Sequence, residues 1–339
     1  MLFALRRLAL TVPLLVVVSF VVFLIGSLLP GDPAAARFEL HGGPEAREQW
    51  RREKGLDQPI VVQYARYMEG VVTRFDFGRS YTDDRAIGPE LVDKFSATIE
   101  LTLFAMSIAI PVGIGAGVLG AVRRGRLVDY LANVLALFGN SIPVFWLGMV
   151  LLLFAISIGF RHFNARYDVM LHEDVVGAYR TKFYLFESVL RGNGAVAWSC
   201  VQYLLVPALA LSTIPMAVIT RMTRAAVLEE IGKDYVQTAR AKGLRPSRVV
   251  LRHVLRNAMV QIVTVMGVQT GALLSGAVLT ETVFNWKGLG TFILDGVRRN
   301  DSPVLVGGIL LVATVFILVN LVVDLLYGVI DPRIRVGGA

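Results

Sequence analysis

The sequence predicts an all-α membrane protein with about six transmembrane helices, and three observations predict it. Hydrophobic residues fill 55% of the 339 positions, above the roughly 45–50% of an ordinary soluble domain, and the mean hydropathy is +0.61. These residues gather in six segments long enough to cross a bilayer, which takes about 20 apolar residues. Lys and Arg collect beside alternate ends of the segments, the bias that sets orientation in a membrane.

In chain order the segments span 8–29, 98–121, 131–158, 200–220, 259–280 and 304–328. The first reads as a retained helix despite the small residues Ala34, Ala35 and Ala36 beyond it, because its apolar run exceeds the roughly 7–15 residues of a signal-peptide core. The fourth is the weakest, since Pro207 and Pro215 interrupt it; membrane helices tolerate proline where neighbours satisfy the freed backbone. Gly113, Gly115, Gly117 and Gly120 in the second segment, and Gly267, Gly271 and Gly276 in the fifth, read as sites of close helix packing. In the sixth, Asn320 and Asp324 are four apart and share a face. The acid there reads as paired with a loop arginine, because a charge near the membrane finds a partner. Glu100 and Glu281 sit near outer helix ends, where water is the expected surrounding.

Arg6 and Arg7 precede the first segment, Arg123, Arg124 and Arg126 follow the second, and Arg333 and Arg335 follow the sixth. The connection after the fourth carries Arg221, Arg224, Lys233, Arg240, Lys242, Arg245, Arg248, Arg252 and Arg256 against Glu229, Glu230 and Asp234. Six helices put all four sets on one side, so both termini are expected in the cytoplasm. The chain then divides into an N-terminal transmembrane helix (1–29), a large extracytoplasmic region (30–97) and a transmembrane domain (98–339) that includes the cytoplasmic connection 221–256. The region 30–97 is mixed in charge, with Asp76, Asp83 and Asp84 offsetting its bases. The outer segment 159–199 carries aromatic residues suited to the headgroup level.

Several functions are excluded at this stage. A net charge of +8 is explained by bases at helix ends, so no nucleic acid partner is expected. Cys200 is the single cysteine, which leaves no internal disulfide and no cysteine metal cluster. No Gly-x-x-x-x-Gly-Lys-Ser/Thr, His-Glu-x-x-His or Gly-x-Ser-x-Gly pattern occurs, and His172-Glu173 stands alone. No enzyme, bound metal or bound cofactor is expected of this chain.

The positive signal is the 221–256 connection. Val227, Leu228, Ile231, Tyr235, Val236 and Ala239 recur at roughly helical spacing. Gly243 sits where a helix would end in a left-handed cap, and Pro246 where the next would start. The second helix, from about Ser247, presents Arg248, Arg252 and Arg256 on one face by spacing. Such a helical hairpin below the membrane suits either a gripping partner protein or anionic lipid headgroups.

The stretch Gln237-Thr238-Ala239, three residues, then Gly243 resembles the cytoplasmic loop signature of bacterial ABC importer membrane subunits, with Gln237 in place of the family's leading Glu. Asp234-Tyr235-Val236, the run Thr238 to Leu244 and the run His253 to Ala258 are similar to the dipeptide/oligopeptide permease version. So are the runs Leu28 to Pro33, Phe75 to Ser80, Ala97 to Leu101, Leu279 to Phe284 with Gly288 and Gly290, Val319 to Gly328, and Asp331 to Arg333. These match the B-type subunit in order over one topology; 159–199 and the first part of the outer loop are unplaced, and Gln261 stands where such subunits commonly carry proline.

The resemblance implies a multi-pass permease subunit in a bacterial plasma (inner) membrane, forming half of a translocation path with a homologous C-type permease subunit. Two ATPase subunits beneath would bind the ATP, and an extracytoplasmic substrate-binding protein above would deliver dipeptide or oligopeptide cargo. Tyr235, Gln237, Thr238, Ala239, Arg240, Lys242 and Gly243 are the expected ATPase-coupling residues, with Ala239 and Gly243 small enough for close approach. Nickel, glutathione or another small solute remain alternative cargoes. An ion-coupled secondary transporter or a membrane scaffold remain alternatives of another class.

Overall fold

The computed structural model describes residues 2–28, 34, 43–276 and 278–330; the side chains of 2–6, 275–276, 324 and 326–330 lie outside that description. The described chain is helical, in the order α1 (Leu2–Ser27), α2 (Pro44–Glu53), α3 (Ile60–Arg74), α4 (Ile87–Val122), α5 (Leu127–Ser141), α6 (Val144–Ser157), α7 (Val169–Gly177), α8 (Tyr184–Leu190) and α9 (Gly194–Ile231), continuing with α10 (Asp234–Ala241), α11 (Pro246–Arg248), a π-helical turn (Val249–Val254), α12 (Leu255–Gly276), α13 (Val278–Val283), α14 (Leu289–Arg298) and α15 (Ser302–Ile330). Five stretches are long and apolar enough to cross a membrane: 7–27, 87–122, 194–231, 246–274 and 302–323. The α5–α6 pair supplies a sixth if counted as one broken span.

That pair corrects the expected continuous helix over 131–158. Its halves meet at 103°, because Pro143 offers no N–H and forces Ile142 into an extended conformation, φ −83° and ψ 126°. Pro207 and Pro215, which weakened the fourth segment in the sequence, lie buried within an unbroken α9. The described residues 43–97 are also more ordered than the expected extracytoplasmic loop. They hold α2 and α3, and α4 starts at Ile87, within the stretch assigned to the outside.

The centre of the molecule is the contact of α4 with α9, where glycine lets backbones approach. A Cβ on Gly117 would lie 2.6 Å from the Thr220 carbonyl oxygen and 2.6 Å from the Thr223 Cβ. Gly113 meets Ile219 in the same way, and Gly267 of α12 meets Val323 of α15. Gly115 faces open space, so it does not share the packing role expected of it, and the packing at Gly276 lies outside the description. Ala97, Leu101, Ala105, Leu204, Ala208 and Ile219 form the buried core between α4 and α9. At one end Asp129 of α5 accepts from Arg224 of α9 at 2.6 and 2.9 Å. A bidentate guanidinium–carboxylate pair of this kind fixes both position and angle.

Helix order alternates between the two ends. Gly26, near the end of α1, packs on Val306 near the start of α15, and Gly271 of α12 packs on Phe316 and Val319 of α15. The start of α1 and the end of α15 therefore lie at the end of the bundle that carries the α9–α12 connection. Arg6, Asp324, Gly276, Arg333 and Arg335, each with an expected role, fall outside the described side chains, as do positions 29–33 of the Leu28 to Pro33 run. Asn320 bonds its own helix, Nδ2 donating to the Phe316 carbonyl at 3.0 Å.

Two acids expected to meet water do not. Glu100 is buried and receives Arg166 at 2.7 Å and the Leu185 N–H at 2.8 Å. Glu281 is fully buried, accepting from the Thr98 hydroxyl at 2.6 Å and the Thr291 N–H at 3.0 Å. Thr98 in turn accepts from the Leu289 N–H at 2.8 Å. This chain of donors ties the α13–α14 corner to the first half of α4, the satisfied state a buried carboxylate requires.

Candidate functional site: the connection from α9 to α12

α9 ends at Ile231, and Gly232 and Lys233 break it before α10 begins at Asp234. Val227, Leu228 and Ile231, read in the sequence as part of the hairpin, thus belong to the long helix above it. α10 is short, only 8 residues, and a helix of that length depends on packing rather than on intrinsic propensity. Val236 and Ala239 supply the packing. They are buried against Ala226, Val227, Val249, Val254 and Ala258, with Tyr235 and Leu244 at the margin.

Lys233 and Tyr235 hold the start of α10. The Lys233 ammonium pairs with Glu230, and the Tyr235 hydroxyl donates to the other Glu230 oxygen at 2.6 Å. Hydrogen bonding to that carboxylate raises the Lys233 pKa above its ordinary value. The Tyr235 phenol is raised by burial first and by the same carboxylate second.

The end of α10 is a Schellman cap. The Gly243 N–H donates to the Arg240 carbonyl at 2.9 Å and the Leu244 N–H to the Ala239 carbonyl at 3.4 Å, with Gly243 at φ +76°. This is the left-handed position predicted for it, and the apolar contact of Leu244 on the helix completes the motif. Pro246 opens α11 as its first residue, where its missing N–H costs nothing.

The second helix differs from the expected regular one. Val249–Val254 is a π-turn, and the buried positions run Val249, Val254, Ala258, Ile262: one step of five, then steps of four. The wider turn rotates Arg248 relative to Arg252 and Arg256, so the three do not form the straight stripe that α-helical spacing implies. All three remain exposed. The helix then continues without a break past Gln261, whose side chain donates to Glu229 at 3.4 Å.

The expected coupling residues thus divide into two sets. Gln237, Thr238, Arg240, Lys242 and Gly243 are exposed on the outer side of α10. Ala239, 7% exposed, is turned inward, so its small side chain serves the approach of α10 to its own bundle and not to an outside surface. Tyr235 is half-buried and anchors. Sequence reading missed Glu230 as the anchor's partner, although its spacing of three from Lys233 and five from Tyr235 carried the signal. No group of three or more His, Cys, Asp or Glu side chains that could hold a metal ion occurs among the described residues. The connection is a rigid knob, held from within and free without.

The same helices fall within a known family. The family described as "Binding-protein-dependent transport system inner membrane component" matches residues 109–336, which takes in the whole α9–α12 connection. The chain belongs to this family. The companion N-terminal family, "Binding-prot-dependent transport system membrane comp, N-term", matches residues 1–102 of the permease. Dipeptide transport system permease protein DppB of Escherichia coli (strain K12) is 45% identical over 335 residues, 98% of each chain. Di/tripeptide transport system permease protein DppB of Pseudomonas aeruginosa (strain UCBPP-PA14) is 43% identical over 335 residues, covering 98% of the permease. Glutathione transport system permease protein GsiC of Escherichia coli O1:K1 / APEC is 39% identical over 338 residues, again 98% of each. The permease is therefore a multi-pass membrane component of a binding-protein-dependent transport system.

Proposed function

We propose that the permease is the B-type membrane subunit of an ATP-driven importer of dipeptides and oligopeptides in a bacterial inner membrane. The observation that carries this is a solvent-facing α10 locked to the bundle, in a chain 45% identical along its length to a dipeptide permease. The basic residues of the connection support a cytoplasmic place for it, and the start of α1 and the end of α15 share that side. α10 then docks in a groove of one of two ATPase subunits, which bind the ATP. The permease itself binds no cofactor and performs no chemistry. A homologous C-type subunit completes the path, and an extracytoplasmic binding protein delivers the peptide.

Movement follows from the packing. Because Val236, Ala239, Leu244, Val249 and Val254 join α10 to the ends of α9 and α12, a displacement of α10 turns those helices with it as a body. Close-packed interiors transmit such shifts rather than absorb them.

A second cargo, glutathione, is favoured by one observation, the 39% identical glutathione permease. Co-purification of the tagged chain in mild detergent, followed by mass spectrometry, tests the assembly. Two P-loop ATPases and a second permease subunit are the expected partners, and recovery of the chain alone after cross-linking would overturn the proposal. Peptide binding by the accompanying binding protein then decides the cargo.

A further inference from the structure

At the end of the bundle away from α10, a cavity of about 870 Å³ opens between α1, α3 and α15. Its floor is apolar: Phe23 and Val306 come from the spans α1 and α15, and the Tyr67 ring comes from α3. Its rim is basic. Lys54, Arg66, Arg74, Arg79 and Arg51 line it, against the two carboxylates of Asp57 and Asp76. Lys54 and Arg79 share one acid, Asp84, at 3.8 and 3.4 Å. Among the described residues, Arg66 is bound only to a neutral amide oxygen, that of Gln58, at 3.0 Å. Arg74 has no ion pair among the described residues. Arg66 and Arg74 thus have no negative charge paired with them among the described residues.

The surface beside the cavity identifies what supplies it. α3 lies along α1, with the Tyr64 hydroxyl 2.7 Å from Ser19 Oγ and its ring 5.1 Å from that of Phe20. Its outer side exposes Val61, Val62 and Val72, at 62%, 44% and 75%. A helix that exposes valines beside a membrane span, with arginines at its edge, has the character of one lying in a bilayer interface. An apolar floor continuous with two spans below a cationic rim matches an acyl chain below a phosphate, and guanidinium groups recognise phosphate by charge-assisted hydrogen bonds.

We propose that this cavity binds an anionic phospholipid, its phosphate held by Arg66, Arg74 and Arg79 and its acyl chains laid against Phe23 and Val306. The bound lipid would fasten α3 to the end of α1 and the start of α15.

The test uses the purified, delipidated transporter complex, titrated with phosphatidylglycerol or phosphatidylcholine and weighed by native mass spectrometry. One saturable phosphatidylglycerol adduct is expected, at least about tenfold tighter than phosphatidylcholine. The variant R66Q/R74Q/R79Q should lose that preference, and Arg74→Gln alone should weaken it several-fold. Arg74 is exposed, so the single variant keeps the test decisive if the triple variant fails to fold. Equal binding of the two lipids, or an unchanged preference in Arg74→Gln and the triple variant, would overturn the proposal. Displacement of phosphatidylglycerol by millimolar inorganic phosphate would do so too, pointing to a free-phosphate site. The readout is independent of uptake, so the cargo reading can fail without affecting it.

Discussion

Gly243 is the residue on which the shape of the connection turns. Its φ of +76° lies where a side chain costs roughly 1–2 kcal/mol, yet a Cβ there would meet nothing within 4 Å. Conformation, not space, selects glycine. Proline would fix φ near −65° and remove the N–H that closes the cap. Gly243→Pro is therefore expected to lower peptide uptake in proteoliposomes by at least about tenfold while membrane insertion and ATP hydrolysis persist. Gly243→Asn, which tolerates the left-handed region, should retain most uptake. A second residue, Glu187, organises the outer segment 159–199. Burial alone would raise its pKa, but the Thr181 and Arg180 N–H groups, the Thr181 hydroxyl and Arg191 outweigh that and bring it down to about 2. A lowered folded pKa means its contribution is present above the ordinary value of 4.5 and lost as pH falls toward 2. Pepsin should accordingly cleave 178–192 faster as pH drops through that window. Glu187→Gln should remove the extra acceleration, and an identical pH response in both proteins would refute this account of the segment.

At the scale of elements, the glycines of α4 separate by neighbour. Gly117→Val would drive side-chain atoms into the Thr220 carbonyl and Thr223, and overpacking of this kind costs roughly 1–3 kcal/mol. Gly115→Val meets open space. A lower melting temperature for the first and little change for the second are expected in the purified permease; equal effects would remove close packing as the cause. Both glycines look alike in the sequence, because spacing gives a face but not its neighbour. The membrane spans were legible because length and apolarity suffice for them, and the Schellman cap because Gly243 and Pro246 punctuate locally. The break at Pro143 was equally local but lay inside a strongly apolar run. The prolines of α9 drew attention instead, although packing on several sides carries that helix through them. The π-turn was hidden, since one inserted residue leaves arginine spacing unchanged. The setting of Glu281 was out of reach, because its partner Thr98 lies 183 residues away. So was the inward turn of Ala239.

In the whole molecule, a bundle built on α4 and α9 carries a knob that presents Gln237, Thr238, Arg240 and Lys242 outward. In the proposed function, this outer side of α10 is the surface an ATPase holds. Cys200 is the single cysteine and is 1% exposed, so a Cys200→Ser chain gives a clean background for new thiols. Cys introduced at Gln237 or Arg240 should cross-link in high yield to the co-expressed ATPase with a short bifunctional reagent, and ATP should alter that yield. Cys at Leu190, 68% exposed in the segment 159–199, should give no ATPase adduct. Cross-linking from Leu190 but not from Gln237 or Arg240, in a complex that still transports peptide, would contradict the account.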